Sequence, residues 1–181
     1  MGTSKQTLDL EGKPMLEHVL DVFSGSAVDE TILVLSPTLG WKPNRRENLR
    51  VVYNKDAEKG ISTSVKVGIE CVDRRSEAAV IGLADKPLVR TSSIDSLIDA
   101  HRRSPAEIIV PVYKGKRGNP ILFRRELFQE LRRLEGDIGA KPLIEGGKYR
   151  IEEVPVDDVG VLFDIDTPED MKRAKELLSV R

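Results

Sequence analysis

Glutamine is almost missing from this chain, occurring only as Gln6 and Gln129, while charged residues make up 33% of its 181 positions. That bias is found in proteins from hot environments and predicts a thermal midpoint above the ordinary mesophile range. Cysteine is limited to Cys71, which excludes an intramolecular disulfide and a cysteine metal cluster. Its setting in a helical pattern reads as a small buried hydrophobe and fits a reducing cytosol. No apolar run approaches the roughly 18 residues of a membrane helix, and MGTSKQTLDL is too polar for a signal-peptide core. A cytoplasmic protein with no membrane partner is therefore expected. Neither sign of charge prevails: 29 Lys and Arg are interspersed with 30 Asp and Glu, so no basic face is offered to nucleic acid. G-x-G-x-x-G, G-x-x-x-x-G-K-[ST] and G-x-S-x-G are all lacking, which weighs against dinucleotide oxidoreductases, P-loop proteins and hydrolases.

What is present suits one well-buried core, and a single domain over residues 1–181 is expected. Met15, Leu16, Val19, Leu20 and Phe23 recur at helical spacing between the Gly12-Lys13-Pro14 turn and Gly25. Thr31 to Leu35 is a short apolar run of the kind that forms a strand covered on both faces, and Val51 to Tyr53 reads likewise. Ser62 to Val72 alternates in a strand-like way, but its small-residue start and its length favour a helix. Ala79 to Ala84 reads as a buried strand running directly into Asp85, and Ile108 to Val112 as another. Helices are expected at about 91 to 103, 124 to 134 and 167 to 179. Such alternation predicts a three-layer α/β fold, with a mostly parallel sheet and helices on both faces. Ligands in such sheets bind at the carboxyl ends of the strands, which singles out Asp85.

Four constellations are able to carry chemistry. In Leu83-Ala84-Asp85-Lys86-Pro87-Leu88 a carboxylate follows a strand, and the proline stops the chain from continuing in the sheet. That presents a hard oxygen to Mg²⁺ bridging a nucleotide's phosphates, although a turn aspartate after an ordinary strand would look the same. In Asp164-Ile165-Asp166-Thr167-Pro168-Glu169-Asp170, the last four residues need no function, because they cap and start a helix. Asp164 and Asp166, on alternate residues of an extended segment, share a face and are able to meet a cation together. Gly2-Thr3-Ser4-Lys5 offers backbone N–H groups and one cation to phosphate, as many polar termini do. Gly115-Lys116-Arg117-Gly118-Asn119-Pro120 alone reads as a hairpin or loop. His18 and His101 have no Cys or His at metal-ligand spacing and read as surface or core residues; Trp41, in a Pro-rich loop, reads as packing.

Taken in order, these segments resemble the MobA-like nucleotidyltransferases, and among them the molybdenum cofactor cytidylyltransferases. The resemblance is carried by MGTSKQTLDLEGKPMLEHVL, NKDAEKGISTSVKVGIE, IGLADKPLV, IIVPVYKGKRGNPILF, GDIGAKPLI and VGVLFDIDTPEDM. It implies a Rossmann-like α/β/α domain and Mg²⁺-dependent transfer of a nucleoside monophosphate from an NTP, with CTP favoured, to a phosphorylated acceptor such as the molybdopterin cofactor, releasing pyrophosphate. Asp85 would be the principal metal ligand and Asp166 a second, with Asp164 beside it. Lys5 would grip the triphosphate, with Gly2, Thr3 and Ser4 in the same loop. Gly60, Ser62, Thr63 and Ser64 would lie near base and ribose, and Ala84 beside the nucleotide. Arg117, Gly118, Asn119 and Pro120, with Asp137, Gly139 and Ala140, would line the acceptor side.

Two departures accompany the resemblance. Lys86 and Asn119 stand where the cytidylyltransferases usually have Gln and His, so the acceptor stays open. Family members also carry a hydrophobic strand and a loop of the form L-A-A-G-x-S-x-R ahead of the Met-Gly at which this chain starts. Without them the sheet lacks its first strand and leaves unpaired edges, so a natural chain about 15 residues longer at this end is expected, as is a tendency to self-associate. A guanylyl or uridylyl transferase with another acceptor, and a non-catalytic nucleotide- or cofactor-binding module, are the alternatives.

Overall fold

A computed structural model describes residues 7–179. Two short strands, β1 (Asp9–Leu10) and β2 (Lys13–Pro14), form an antiparallel hairpin ahead of helix α1 (Met15–Ser24). Strands β3 (Thr31–Leu35) and β4 (Leu49–Tyr53) pair in parallel. Helix α2 (Ile61–Cys71), strand β5 (Ala78–Ile81) and helix α3 (Thr91–Arg103) follow. Strand β6 (Ile108–Tyr113) turns through Lys114 and Gly115 into β7 (Lys116–Arg117), and β8 (Ile121–Arg124) comes next. Helices α4 (Phe128–Arg132) and α5 (Lys141–Glu145), strand β9 (Ile151–Pro155) and helix α6 (Pro168–Ser179) complete the order.

The period of two along the strands builds the three layers. Ile108, Val110, Ile121 and Phe123, with Ala79 and Ile81, face a cluster formed with Ile69 of α2 and Phe128 and Leu131 of α4. The alternate residues Ile109 and Leu122, with Ala78 and Val80, face Leu97 and Ala100 of α3. Helix α1 places Leu16, Val19 and Leu20 against Leu33 and Leu35 of β3, and Trp41 packs there too. The α/β/α architecture expected from the sequence is thus present.

The five-stranded sheet is mixed, however, where a mostly parallel one was expected, and β3 with β4 forms a separate pair. β3 with β4 and β6 with β9 run parallel, whereas β8 lies antiparallel between β5 and β6. The expected helix at 124–134 accordingly starts late: Ile121 to Arg124 is strand, and α4 begins at Phe128. Arg124 keeps the chain extended there by donating its guanidinium to the carbonyls of Ala106 at 2.9 Å and His101 at 2.7 Å. β5 also ends earlier than expected, at Ile81, where its pairing with β8 stops at Ile121, and at Gly82 the Phe23 ring occupies the space a Cβ would need. Asp85 lies in the turn that follows, not at the strand's last residue. Among the described residues β3 pairs only with β4, and β5 only with β8. No described helix is long and apolar enough to cross a membrane.

Candidate active site

Three of the segments singled out in the sequence meet at the end of β5. The turn carrying Asp85 is held by the Lys86 N–H on the Leu83 carbonyl at 3.3 Å, and the Asp85 carbonyl accepts from the Ile165 N–H at 3.1 Å. Ile165 is buried with Leu10, Met15, Leu88 and Ala174, while Asp164 and Asp166 on either side of it are exposed. Burial of the middle residue therefore turns both flanking carboxylates away from the core. Helix α6 then starts at a reciprocal cap: the Asp170 carboxylate accepts from the Thr167 N–H at 2.9 Å and from its hydroxyl at 2.7 Å, and the Asp170 N–H donates to Thr167 Oγ1 at 3.1 Å. Those hydrogen bonds hold the Asp170 carboxyl below its ordinary range.

The third segment is the loop after the β6–β7 hairpin. Gly118 donates to the Pro111 carbonyl at 2.8 Å and Asn119 to the Val161 carbonyl at 2.9 Å. A Cβ on Gly118 would stand 2.5 Å from the Val161 carbonyl oxygen, so only glycine permits this approach. The Asn119–Pro120 peptide is cis. Arg117 is exposed and paired with Glu153 of β9 at 2.7 Å.

The three aspartates are not gathered into one cage. Asp85 is half-buried, with Oδ1 itself buried, but Asp164 Oδ1 is paired with the Lys86 ammonium at 2.8 Å. Among the described residues no group of three or more His, Cys, Asp and Glu side chains is close enough to hold a metal ion. Mg²⁺ is commonly bound through one or two carboxylates plus phosphate oxygens. Hard oxygen donors from two chain segments, fastened to each other through Asp85 and Ile165, fit such an ion.

A second grouping forms at the start of α2. Gly60, at φ +110°, approaches the Gly136 carbonyl so closely that a Cβ would lie 2.6 Å from its oxygen. The Ser62 N–H donates to that same carbonyl at 3.3 Å, and the Ile61 N–H donates to the Asp137 carboxylate at 2.9 Å. The segment expected beside the nucleotide and the one expected beside the acceptor are thus joined to each other. Thr63 Oγ1 donates to the carbonyls of Gly60 and Asp56, and Asn54 Nδ2 donates to the hydroxyls of Thr63 at 2.7 Å and Ser64 at 3.0 Å. Gly139 has a positive φ of 53° and Ala140 immediately precedes α5. Gly2, Thr3, Ser4 and Lys5 lie outside the described residues.

Sequence reasoning missed two anchoring residues. Buried Asn54 follows β4 and gathers the two hydroxyls; its position after a strand was the only signal. Asp158, also buried, accepts from the Arg90 N–H, the Ser93 hydroxyl and the Gly160 N–H. Nothing local in the sequence marks it, because two of those donors lie in another part of the chain.

The MobA-like NTP transferase domain matches residues 1–154. The chain is 28% identical to the purine catabolism protein PucB of Bacillus subtilis over 99% of its own length and 91% of PucB. It is 30% identical to the molybdenum cofactor cytidylyltransferase of Escherichia coli, over 72% of this chain and 65% of that one. Among solved structures it resembles Rv0371c of Mycobacterium tuberculosis in complex with manganese, at a TM-score of 0.81 and 30% identity, over 97% of this chain and 93% of the other. A Rossmann-like α/β/α fold, the shared segments and the family match together make the chain a member of the MobA-like NTP transferase family, and an enzyme of the nucleotidyltransferase class.

Proposed function

We propose that the chain transfers a nucleoside monophosphate from CTP to a phosphate on a small acceptor, such as the molybdopterin cofactor, with Mg²⁺ as the metal. The observation that carries this reading is the fastening of the Asp85 turn to the Asp164–Asp166 segment through the 3.1 Å hydrogen bond between Ile165 and Asp85. It holds carboxylates from two distant segments at the end of β5, where open α/β sheets bind ligands. The manganese in the Rv0371c structure and the cytidylyl transfer named for the Escherichia coli relative support divalent metal and CTP.

An acceptor phosphate oxygen would bond to the α-phosphorus while the bond from that phosphorus to the bridging oxygen of the β-phosphate breaks, and pyrophosphate leaves. Such a displacement needs alignment and neutralisation of charge more than a protein nucleophile. Asp85 and Asp166, with Asp164 beside them, would hold a divalent ion, which would supply Lewis acidity toward the phosphate oxygens. Lys5, with Gly2, Thr3 and Ser4, would take the triphosphate, and Gly60 with Ser62 to Ser64 the base and ribose. The acceptor would lie along Arg117 to Pro120 and Asp137 to Ala140.

Calorimetry with CTP and with GTP in Mg²⁺, on this chain and on Asp85→Ala, tests the reading. CTP binding that is lost in the variant is expected. Preference for GTP would reassign the base; binding that ignores Asp85, or no binding of either nucleotide, would remove the proposal.

A further inference from the structure

The loop leading into β4 encloses, with that strand, a hollow of about 280 Å³. The stretch from Lys42 to Arg46 forms one side of it, and Leu49, Val51 and Tyr53 form the other. These strand residues alternate, so they share one face of β4. Leu49 and Val51 pack on the cluster around Leu16 and Leu35, and Tyr53 is 52% exposed at the strand's end. The loop is pinned from α1. Glu17, 2% exposed, accepts the Asn44 N–H at 2.7 Å and the Arg46 guanidinium at 2.6 Å, and Asp21 takes the same guanidinium at 2.5 Å. Two carboxylates thus answer the charge of Arg46. Lys42 and Arg45 are exposed, and neither has an ion pair or hydrogen bond among the described residues. No carboxylate lines the hollow. Two unanswered cations therefore stand beside an apolar floor that ends in a phenol ring.

A hollow with low-dielectric walls and charge of one sign concentrates the opposite ion, and its apolar floor gains by covering a hydrophobic body. The geometry points to a second binding site here, for a small organic anion: its phosphate or carboxylate meets Lys42 and Arg45, and its aromatic or other apolar body lies over Leu49 and Val51 against Tyr53. The site shares no residue with the segments assigned above to nucleotide, metal and acceptor, and it does not depend on the reaction proposed there.

Phenyl phosphate, benzoate, inorganic phosphate and benzyl alcohol, each titrated into the isotope-labelled full chain and followed by two-dimensional NMR, test it. Phenyl phosphate or benzoate is expected to saturate with a Kd of about 1 mM or below while moving the amides of Asn44 to Arg46, Val51 and Tyr53, and the tighter of the two names the anion. Inorganic phosphate lacks the ring and benzyl alcohol lacks the charge, so each is expected to bind there at least about tenfold more weakly. The double variant Lys42→Ala with Arg45→Ala should weaken binding about tenfold and keep its Tm within about 2 °C, because neither side chain is paired in the fold. Lys148→Ala, which removes an exposed cation elsewhere, should bind like the parent. Four results would each overturn the site: no saturation, shifts confined to Ser62–Ser64 and the Asp85 turn, an equal response to inorganic phosphate, and undiminished binding by the double variant.

Discussion

The carboxylate of Asp158 accepts the backbone N–H of Arg90 at 2.7 Å, closing the start of α3 from 68 residues away. The same oxygen takes the Ser93 hydroxyl at 2.7 Å, and the other takes the Gly160 N–H at 2.9 Å. Asp158→Ala would strip the cap from α3 and leave buried donors without an acceptor, at a cost of about 2–4 kcal/mol. Asp158→Asn, which keeps an acceptor, should lose less. Urea unfolding of the two variants checks this, and equal midpoints for parent and Asp158→Ala would dismiss the cap as an anchor.

Gly118 has no room for a side chain. With a Cβ 2.5 Å from the Val161 carbonyl oxygen, Gly118→Ala must push apart two backbones that are also tied by the Asn119 to Val161 hydrogen bond. A loss of about 3 kcal/mol is expected. A melting temperature equal to the parent's would mean that the loop moves aside freely.

Gly68 predicts the opposite sign. It sits inside α2, and a Cβ there would meet only Val34 Cγ2 at 3.4 Å, an ordinary contact. Gly68→Ala should therefore stabilise by about 1 kcal/mol, a rise in Tm of about 2–4 °C. A lowered Tm would show that α2 and β3 are packed too tightly to take one methyl.

Asp137 bonds the Ile61 N–H at the first turn of α2. Asp137→Ala should cost about 1 kcal/mol and accelerate hydrogen exchange at the Ile61 amide. Unchanged exchange at that amide would leave Asp137 without a capping role.

His101 gives the fold a dependence on pH. Burial, followed by the charge of Arg124, lowers its pKa below 6.5, against the weaker pull of Glu77 and Glu126. Its Nδ1 is buried without a hydrogen-bond partner. The unfolded chain thus takes up a proton at a higher pH than the folded one. The neutral ring's contribution is complete above about pH 6.5 and is lost as pH falls from there through the folded pKa. Melting temperatures between pH 7.5 and 5.5 should fall for the parent and stay flatter for His101→Gln; identical slopes would refute the assignment.

The apolar periods of α1 and β3 were legible because each is set by neighbours a few residues away, and the bounds of α3 were found at 91 and 103. The reciprocal cap at Thr167 and Asp170 was likewise local. β8 was not legible, since Ile121 to Phe123 look alike as buried strand and helix start until Ala106 and His101 claim Arg124. At the site, the alternation separated exposed Asp164 and Asp166 from buried Ile165. It did not reveal that the neighbour of Asp85 would claim Asp164, because an ion pair spanning 78 positions leaves no local trace.

That long reach also orders events during synthesis. The turn bearing Asp85 leaves the ribosome well before Ile165, which supplies the N–H that fastens it, and before Asp158, which closes the helix just beyond it. A nascent chain halted short of position 158 has every described strand, β1 to β9, but not these clasps. The carboxylates at the end of β5 therefore take their places only when the segment from Asp158 to Asp166 docks.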